Sequence, residues 1–475
     1  MSQVIATAPA LQLTLRDIDQ LLDEVQAYHA VYSPLFGRRE QREKSQEYLY
    51  GLLAPDIAGK AIEPMVLSLK GAAQNEIRAM QHFISAGSWD DLAILRRHWR
   101  EVAVDLGDTD GVLTLDGSDF PKQGSDSVGV KRQYCGELGK IANCQAGVFV
   151  GYASHTGYTL LHRALYLPEE WLVDAAYAER RMKCGVPETL EFQTKPQLGL
   201  ALLKEIVATG SLPGHWVACD EAFGRATDFL DQVAAQGLWY YAEVPHTTLV
   251  WRARPRTHVP EWSGKGRQPP QEQVVAGEAA PQTVSQFADT LSPPDWTRHT
   301  IKEGSQGPLV ADFACVRVVA VRAGLPGPGV WLILRRAVTT RELKTYLCNA
   351  PADTPQITLV RISGMRWPIE TAFEDGKQLV GLGDYQVRTW TGWHHHMTLC
   401  ILAHFFLVRV RVRLGNKAPA LTLPQAQLLL MGTLPKREFD AAWVLEVLDY
   451  RQRRNHAAYL SHRKRRLAIL KSSDQ

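Results

Sequence analysis

The chain has 475 residues, with 53 Lys and Arg against 50 Asp and Glu, 45% hydrophobic and 22% charged residues. These are ordinary globular values and exclude a wholly disordered, collagen-like or low-complexity protein. The length exceeds what one hydrophobic core organises and predicts about two to four domains.

The net charge of +3 conceals a division. Residues 386–475 hold 15 basic and 5 acidic side chains, a balance of +10, whereas the remainder holds 38 and 45, a balance of −7. A basic C-terminal region suits nucleic acid, an acidic membrane surface or a solvated helix face. The seven cysteines are odd in number and widely spaced, and no C-x-x-C occurs. This argues against a zinc ribbon or disulfide framework and fits a reducing cytoplasm. The first residues, MSQVIATAPALQLTLRD, lack the basic start and apolar core of a secretory signal.

Along the chain, residues 11–106 read as mostly helical. Asp17–Ala30 and Gln41–Leu53 are amphipathic, and Ser88 opens a helix containing Trp89 and Trp99. A small DNA-binding module and a plain helical bundle are both compatible. Gly111–Phe120, Ala146–Tyr152 and Tyr158–Leu167 read as strands, and Gln197–Ala208 as a helix stopped by Gly210. Trp216–Cys219 is a short buried strand opening onto Asp220, followed by a helix and the strand Leu238–Val244. Strands alternating with helices predict a mixed α/β sheet. Residues 262–295, rich in Pro, Gly and Gln, read as a flexible linker between the strands Thr248–Arg254, Phe313–Val321 and Val330–Arg335. Helical character returns from Ile357 to Lys377, then at Gly392–Arg413, Pro424–Met431 and Lys436–Tyr450. The longest apolar stretch, Met397–Val408, is too short to span a bilayer and reads as a buried helix.

Three segments carry chemistry. In LDGSDFPKQG, Asp116 sits at a strand end before a Gly-Ser turn; in VACDEAFG, Asp220 directly follows a buried strand. In the helix Met365–Val380, Arg366, Glu370 and Lys377 share one stripe at 100° per residue. Two strand-end aspartates and a helical glutamate can share a pair of Mg²⁺ ions, which prefer oxygen ligands and bracket an in-line phosphoryl transfer. Arg366 and Lys377 would then hold DNA phosphates beside the acids. Taken singly, each segment also has a plain reading, as a helix cap or as a surface helix salt bridge. His394-His395-His396 reads as one buried, hydrogen-bonded histidine with two outer ones rather than a metal cluster. Trp296 and Trp331 suit core packing or stacking on a flipped base.

The segment DGSDFPKQGSDSVGVKRQYCGELGKIANCQAGVFVGYAS resembles the first catalytic segment of bacterial DDE transposases of the insertion-sequence-701 type. ACDEAFG and RWPIETAFEDGKQLVGLGDYQVRTWTGWHHHMTL resemble that group's second and third catalytic segments, within a similarity over most of residues 40–410. The resemblance implies Asp116, Asp220 and Glu370 as catalytic and metal-binding residues, with Asp119, Glu221 and Glu374 as nearby rivals. The related Tyr-Arg-Glu-Lys signature matches Arg366, Glu370 and Lys377, but its Tyr position is Ser363 here. Lys122, Lys131, Arg132 and Lys140 join Arg366 and Lys377 as candidate DNA contacts, or are solvated loop charges.

The implied fold is α/β: an RNase-H-like catalytic domain with a mixed sheet, interrupted by a β-rich insertion and flanked by helical N- and C-terminal regions. The expected division is 1–106 (helical), 107–244 (catalytic, first part), 245–350 (β-rich insertion with linker 262–295), 351–415 (catalytic, second part) and 416–475 (basic, helical). The implied activity is Mg²⁺-dependent cleavage and strand transfer at insertion-sequence ends, with Mn²⁺ able to substitute. The implied partners are double-stranded DNA, as terminal inverted repeats and target, and further copies in a homodimer or larger synaptic complex. The expected location is a bacterial cytoplasm, at the nucleoid and away from membranes. Two other readings are a domesticated DNA-binding regulator without cleavage and an RNase-H-like nuclease without strand transfer; the complete acid triad opposes the first, and the long insertion with the Arg-Glu-Lys helix the second.

Overall fold

The computed structural model describes residues 11–260, 272–304, 307–437 and 439–473. The chain forms two compact units, one of residues 1–94 with 375–475 and one of residues 95–374.

The first unit is helical. Helices Leu21–Tyr32, Arg39–Leu53, Ile62–Lys70 and Gln74–Ser85 come from its N-terminal part, and Trp390–Leu414, Leu423–Leu429 and Ala441–Ser473 from its C-terminal part. Helix Trp390–Leu414 contains the apolar stretch predicted to be buried, and packs on Arg39–Leu53 and Gln74–Ser85. A helix without a polar face is stable only when covered all round. For that reason the three histidines depart from expectation: His395 and His396 are both buried and His394 half-buried. His395 Nδ1 lies 2.9 Å from the Ile84 carbonyl, and its ring stacks 3.5 Å from that of Trp89. His396 Nδ1 lies 2.8 Å from the Tyr48 hydroxyl. The predicted helix Lys436–Tyr450 instead begins at Ala441 and runs to Ser473, with residues 451–470 exposed. Among the described residues no helix is long and apolar enough to cross a membrane.

The second unit is built on one large mixed sheet. Its first strands are β1 (Val112–Pro121), β2 (Lys131–Cys135), β3 (Lys140–Ala153) and β4 (Tyr158–Tyr166), followed by β5 (Trp216–Cys219) and β6 (Trp239–Glu243). β3 lies antiparallel to β1 along one edge, and to β2 and then β4 along the other. β5 and β6 add to β1 in parallel. Parallel neighbours need a crossover. Helix Lys195–Ala208 precedes β5, and helices Glu221–Gly224 and Thr227–Ala235 join β5 to β6.

The β-rich stretch supplies β7 (Leu249–Trp251), β8 (Thr257–His258), β9 (Gln273–Val274), β10 (Gln282–Thr283), β11 (Thr297–Gly304), β12 (Gly307–Arg322), β13 (Leu325–Ala337) and β14 (Leu343–Cys348). These strands do not form a separate sheet, except for the small pair β8–β9. β14 bonds to β6, and the order continues β14-β13-β12-β7-β10, with β11 on β12. Of the predicted linker, residues 262–271 lie outside the described residues, and the rest is more ordered than its composition suggests. It carries β9, β10 and helix Val284–Asp289, which a Thr283–Gln286 capping box starts.

One face of the sheet is covered by helix Gln356–Ser363, whose Leu359, Val360 and Ile362 pack with Val112, Trp216, Tyr241, Phe313, Ile333 and Tyr346. At the other end of the core, Phe149 on β3 is fully buried between Phe120, 6.2 Å away, and Phe373, 5.2 Å away. Phe149→Ala should therefore destabilise the protein by about 3–5 kcal/mol, the cost of an aromatic-sized core cavity. Equilibrium denaturation reads this as a lower midpoint at an unchanged slope, and a loss below about 1 kcal/mol would show that this contact does not organise the core.

Candidate active site

Strand register brings three acids into one row. β1 pairs with β5 up to Leu115 opposite Cys219, and β5 pairs with β6 up to Cys219 opposite Ala242. The next residues are Asp116, Asp220 and Glu243. Three carboxylates thus leave three adjacent strands at one level, with neighbouring strands about 4.8 Å apart. Asp116 was expected at a strand end, but β1 continues to Pro121 because the long β3 keeps pairing with it after β5 has stopped. Where β5 turns into helix Glu221–Gly224, one side of β1 is left open at Asp116.

Asp220 starts that short helix as its N-cap. Its Oδ1 accepts from the backbone N–H groups of Ala222 and Phe223, at 3.1 and 3.4 Å. Oδ2 has no hydrogen bond among the described residues. A Cβ on Gly224 would stand 1.9 Å from the Glu243 carbonyl oxygen, so glycine is what lets the capped turn sit against the end of β6.

The fourth acid comes from a helix. The predicted stripe Met365–Val380 starts later than expected, at Trp367, and Arg366 lies in the break after helix Gln356–Ser363. From there its guanidinium reaches three carboxylates: Nη2 is 2.6 Å from Glu370 Oε1, Nη1 is 3.1 Å from Asp116 Oδ2, and Nε is 4.0 Å from Glu243 Oε2. Glu243 Oε1 also accepts from Lys344 Nζ at 3.2 Å. The structure therefore gathers Asp116, Asp220, Glu370 and Arg366, and adds Glu243 and Lys344, which the sequence reading missed. Trp-Tyr-Tyr-Ala-Glu, an apolar strand ending in an acid, is the same signal that singled out Asp220. Lys195 was missed as well; its Nζ lies 4.0 Å from where a side chain on Gly117 would begin.

The remaining candidates lie elsewhere. Lys377 is in the last turn of helix Trp367–Val380, about 10 Å along the axis from Glu370. Lys122 follows β1, and Lys131, Arg132 and Lys140 belong to the β2–β3 hairpin. That hairpin meets β1 through Cys144 opposite Pro121, five residues and about 17 Å beyond Asp116. Lys131 is paired with Glu170. Among the rivals, Asp119 points to the opposite face of β1 from Asp116 and accepts from Gly136 N at 2.6 Å. Glu221 pairs with Arg225, and Glu374 is exposed. Ser363 is buried and bonds back to the Val360 carbonyl at 2.6 Å, so it contributes no hydroxyl to the cluster. Trp331 packs against the core and donates to the Pro351 carbonyl at 3.0 Å.

The electrostatics follow from burial. The Asp116 carboxyl is pushed up to about 7, first by burial and then by the neighbouring Asp220, against the pull of Arg366. Burial raises Asp220 too. Burial disfavours the Arg366 charge, yet the surrounding carboxylates outweigh it and raise its pKa. Oxygen donors with surplus negative charge suit a hard divalent cation. Among the described residues no three His, Cys, Asp or Glu side chains converge as a ready ion cage, and the centre of the cluster is taken by the Arg366 guanidinium.

A carboxyl raised by folding is still protonated where the unfolded chain has ionised, so it contributes stability at acid pH that is lost as pH rises from about 4 to about 7. Asp116→Asn cannot ionise. In metal-free buffer it should match the parent chain near pH 4 and exceed its stability at pH 8 by roughly 1 kcal/mol or more. Thermal unfolding at the two pH values checks this, and a variant less stable than the parent at pH 8 would contradict it.

The profile of the DDE superfamily endonucleases matches residues 31–308, a span that includes Asp116 and Asp220 and stops short of Glu370. The chain is also similar to a probable transposase for insertion sequence element IS701 from Microchaete diplosiphon, at 25% identity over 215 residues. That alignment covers 45% of this chain and 51% of the relative, so the chain spans about half the length of the curated protein it matches. With more than half of its length matched by the family profile, the chain belongs to the DDE superfamily endonucleases.

Proposed function

We propose that the chain is a DNA transposase that binds insertion-sequence ends and carries out metal-dependent strand cleavage and strand transfer. The observation that carries this reading is the meeting of Asp116, Asp220 and Glu370 around one guanidinium, at the rim where parallel strands β5 and β6 end. The order β4-β3-β1-β5-β6, an antiparallel meander followed by two parallel strands, supports an RNase-H-like catalytic region. In this reading residues 245–350 are the β-rich insertion, between Asp220 and Glu370.

Asp116, Asp220 and Glu370 are the residues that would hold Mg²⁺ or Mn²⁺. Bound there, such ions supply activation of the attacking oxygen and neutralisation of the leaving one. The chain's own part is positioning. The sheet register fixes Asp116 and Asp220 at one level, and the capping bonds leave Asp220 Oδ2 for a ligand. Arg366 orders the acids in the resting site and carries a persistent positive charge for a DNA phosphate. Glu243 on β6 steadies the guanidinium, and Lys344 on β14 holds Glu243 in turn. Lys377, Lys122, Lys131, Arg132 and Lys140 would extend the cationic track along bound DNA. Work on two element ends calls for a homodimer or larger synaptic complex.

Purified protein with Mg²⁺ or Mn²⁺ should nick or cut duplex DNA carrying the inverted repeats that flank its coding sequence. Asp116→Asn, Asp220→Asn and Glu370→Gln should each lower cleavage by about a hundredfold to a thousandfold, the scale of losing a group that stabilises a developing charge, while DNA binding survives. Undiminished cleavage in any of the three removes that residue from the site. Binding without cleavage by the parent chain, across both metals, would favour the regulator reading.

A further inference from the structure

A second concave, cationic site lies away from the carboxylates. Leu291, Pro293, Trp296, Arg298, Asp312, Arg336 and Arg341 line a cleft of about 460 Å³. Three arginines face a single acid. Arg298 binds Asp312 through Nε at 2.8 Å and Nη2 at 3.3 Å, and Arg341 Nη1 lies 3.6 Å from the same carboxylate. One arginine would neutralise Asp312, so two positive charges remain among the lining side chains, with Asp289 near enough to Arg336 to offset part of one. Arg336 makes no ion pair among the described residues and is laid on the indole of Trp296, its Cζ 3.6 Å from the ring centroid. Stacking of this kind fixes the plane of a guanidinium while leaving its edge N–H groups for an acceptor.

The backbone adds an independent sign. Arg341, in the β13–β14 turn, has φ +60°. This is a left-handed conformation that glycine or asparagine adopts more readily than arginine. The turn holds it there through Arg341 N to the Ala337 carbonyl at 3.1 Å and Ala337 N to the Glu342 carbonyl at 2.9 Å. Strain of this order is a common companion of a functional side chain. Here it aims a guanidinium into the cleft.

The register also relates the cleft to the carboxylates. Arg336, next to last in β13, lies opposite Leu343 at the start of β14, and Tyr346 on β14 faces Glu243 at the end of β6. Both sites therefore lie at the same rim of one sheet, two strand steps and three residues apart, or about 14 Å. Arg336 alternates with Arg335, which shares its face with Tyr346 and Glu243, so the cleft opens on the opposite face. A ligand that meets both must cross the rim, as an extended polyanion does.

We propose that the Arg298–Arg336–Arg341 cleft binds a phosphodiester group of DNA, away from the point of cleavage, as a positioning contact. This rests on the transposase reading above. Guanidinium forks match phosphate oxygens, and the charge surplus gives such a contact a salt-dependent affinity.

The test uses the full chain in metal-free buffer, so that binding is read without cleavage. Anisotropy of a labelled duplex carrying the flanking inverted repeats is measured over a salt series for the parent and for Arg336→Gln with Arg341→Asn. Asparagine is compatible with the backbone at 341. The double variant should bind several-fold more weakly, and its plot of log K against log salt should be shallower by about 0.9 per lost contact. Arg336→Lys should restore most of the slope. An unchanged affinity and slope in the double variant, with the parent binding normally, overturns the cleft and leaves the transposase reading standing. A parent chain that fails to bind DNA overturns that reading and the cleft with it. Inorganic phosphate is titrated in parallel by calorimetry: phosphate binding lost in the double variant with DNA binding intact makes this a free-anion site and overturns the proposal. Should Arg336→Gln fail to fold, Arg341→Asn alone gives the reading, because that side chain is 60% exposed; one contact's loss of slope supports the cleft and none overturns it.

Discussion

Arg366 is the charge on which the carboxylate rim depends. Carboxylates brought together out of water repel one another, and burial penalises each of them further. In this protein Asp116, Glu370 and Glu243 surround a guanidinium that is itself only 18% exposed, and Asp220 lies within its field. Replacing that cation with a neutral side chain would leave buried like charges, and the cheapest responses are proton uptake or opening of the rim. The break between helices Gln356–Ser363 and Trp367–Val380 has a corresponding purpose. A continuous helix would carry Arg366 on its own surface, whereas the break lets it reach strands β1 and β6 together.

The acids were legible because they follow local rules. Asp220 terminates a four-residue apolar strand, and Arg366 precedes Glu370 by four residues, spacings that survive translation into structure. Glu243 carries the same strand-end pattern but gains its meaning only from the register of β5 against β6, which pairs residues more than twenty positions apart. Lys344 depends on β14, a strand whose Leu-Lys-Thr-Tyr alternation is too short to stand out beside the preceding Thr-Thr-Arg turn. The strand read at Gly111–Phe120 matches β1 closely, and only the placing of Asp116 at a strand end departs from the structure. Polar residues from Asp116 to Asp119 suggest an end, while the ladder with β3 carries the strand on to Pro121. Trp296, just before β11, and Arg336, on β13, meet only through the β11–β12–β13 pairing.

Sequence composition also understated the order of the β-rich stretch. Proline and glycine between 262 and 295 suggested a long linker, yet Thr283 with Gln286 starts a helix there, and Pro293 and Pro294 lie in a single helical turn that delivers Trp296. Proline fixes its backbone before folding, so such a turn loses little entropy when it forms. The strands beyond it join the main sheet through β14 and β6. A shared ladder of backbone hydrogen bonds holds the arginine cleft and the carboxylate rim at a set spacing, which a tethered module would not do.

The helix Ala441–Ser473 illustrates a different balance. Its residues 451–470 are exposed on every side, and they include Arg451, Arg453, Arg454, Arg463, Lys464, Arg465 and Arg466. With no buried side chain between 451 and 470, this stretch draws its helicity mainly from intrinsic propensity, helped near its start by the ion pairs of Arg453 with Asp449 and of Arg454 with Glu63, and repulsion among neighbouring cations works against it. It should sit close to its own helix–coil midpoint, melting ahead of the packed core and gaining helix as counterions accumulate. Circular dichroism of the whole protein would then report two transitions, the earlier one governed by ionic strength rather than by packing.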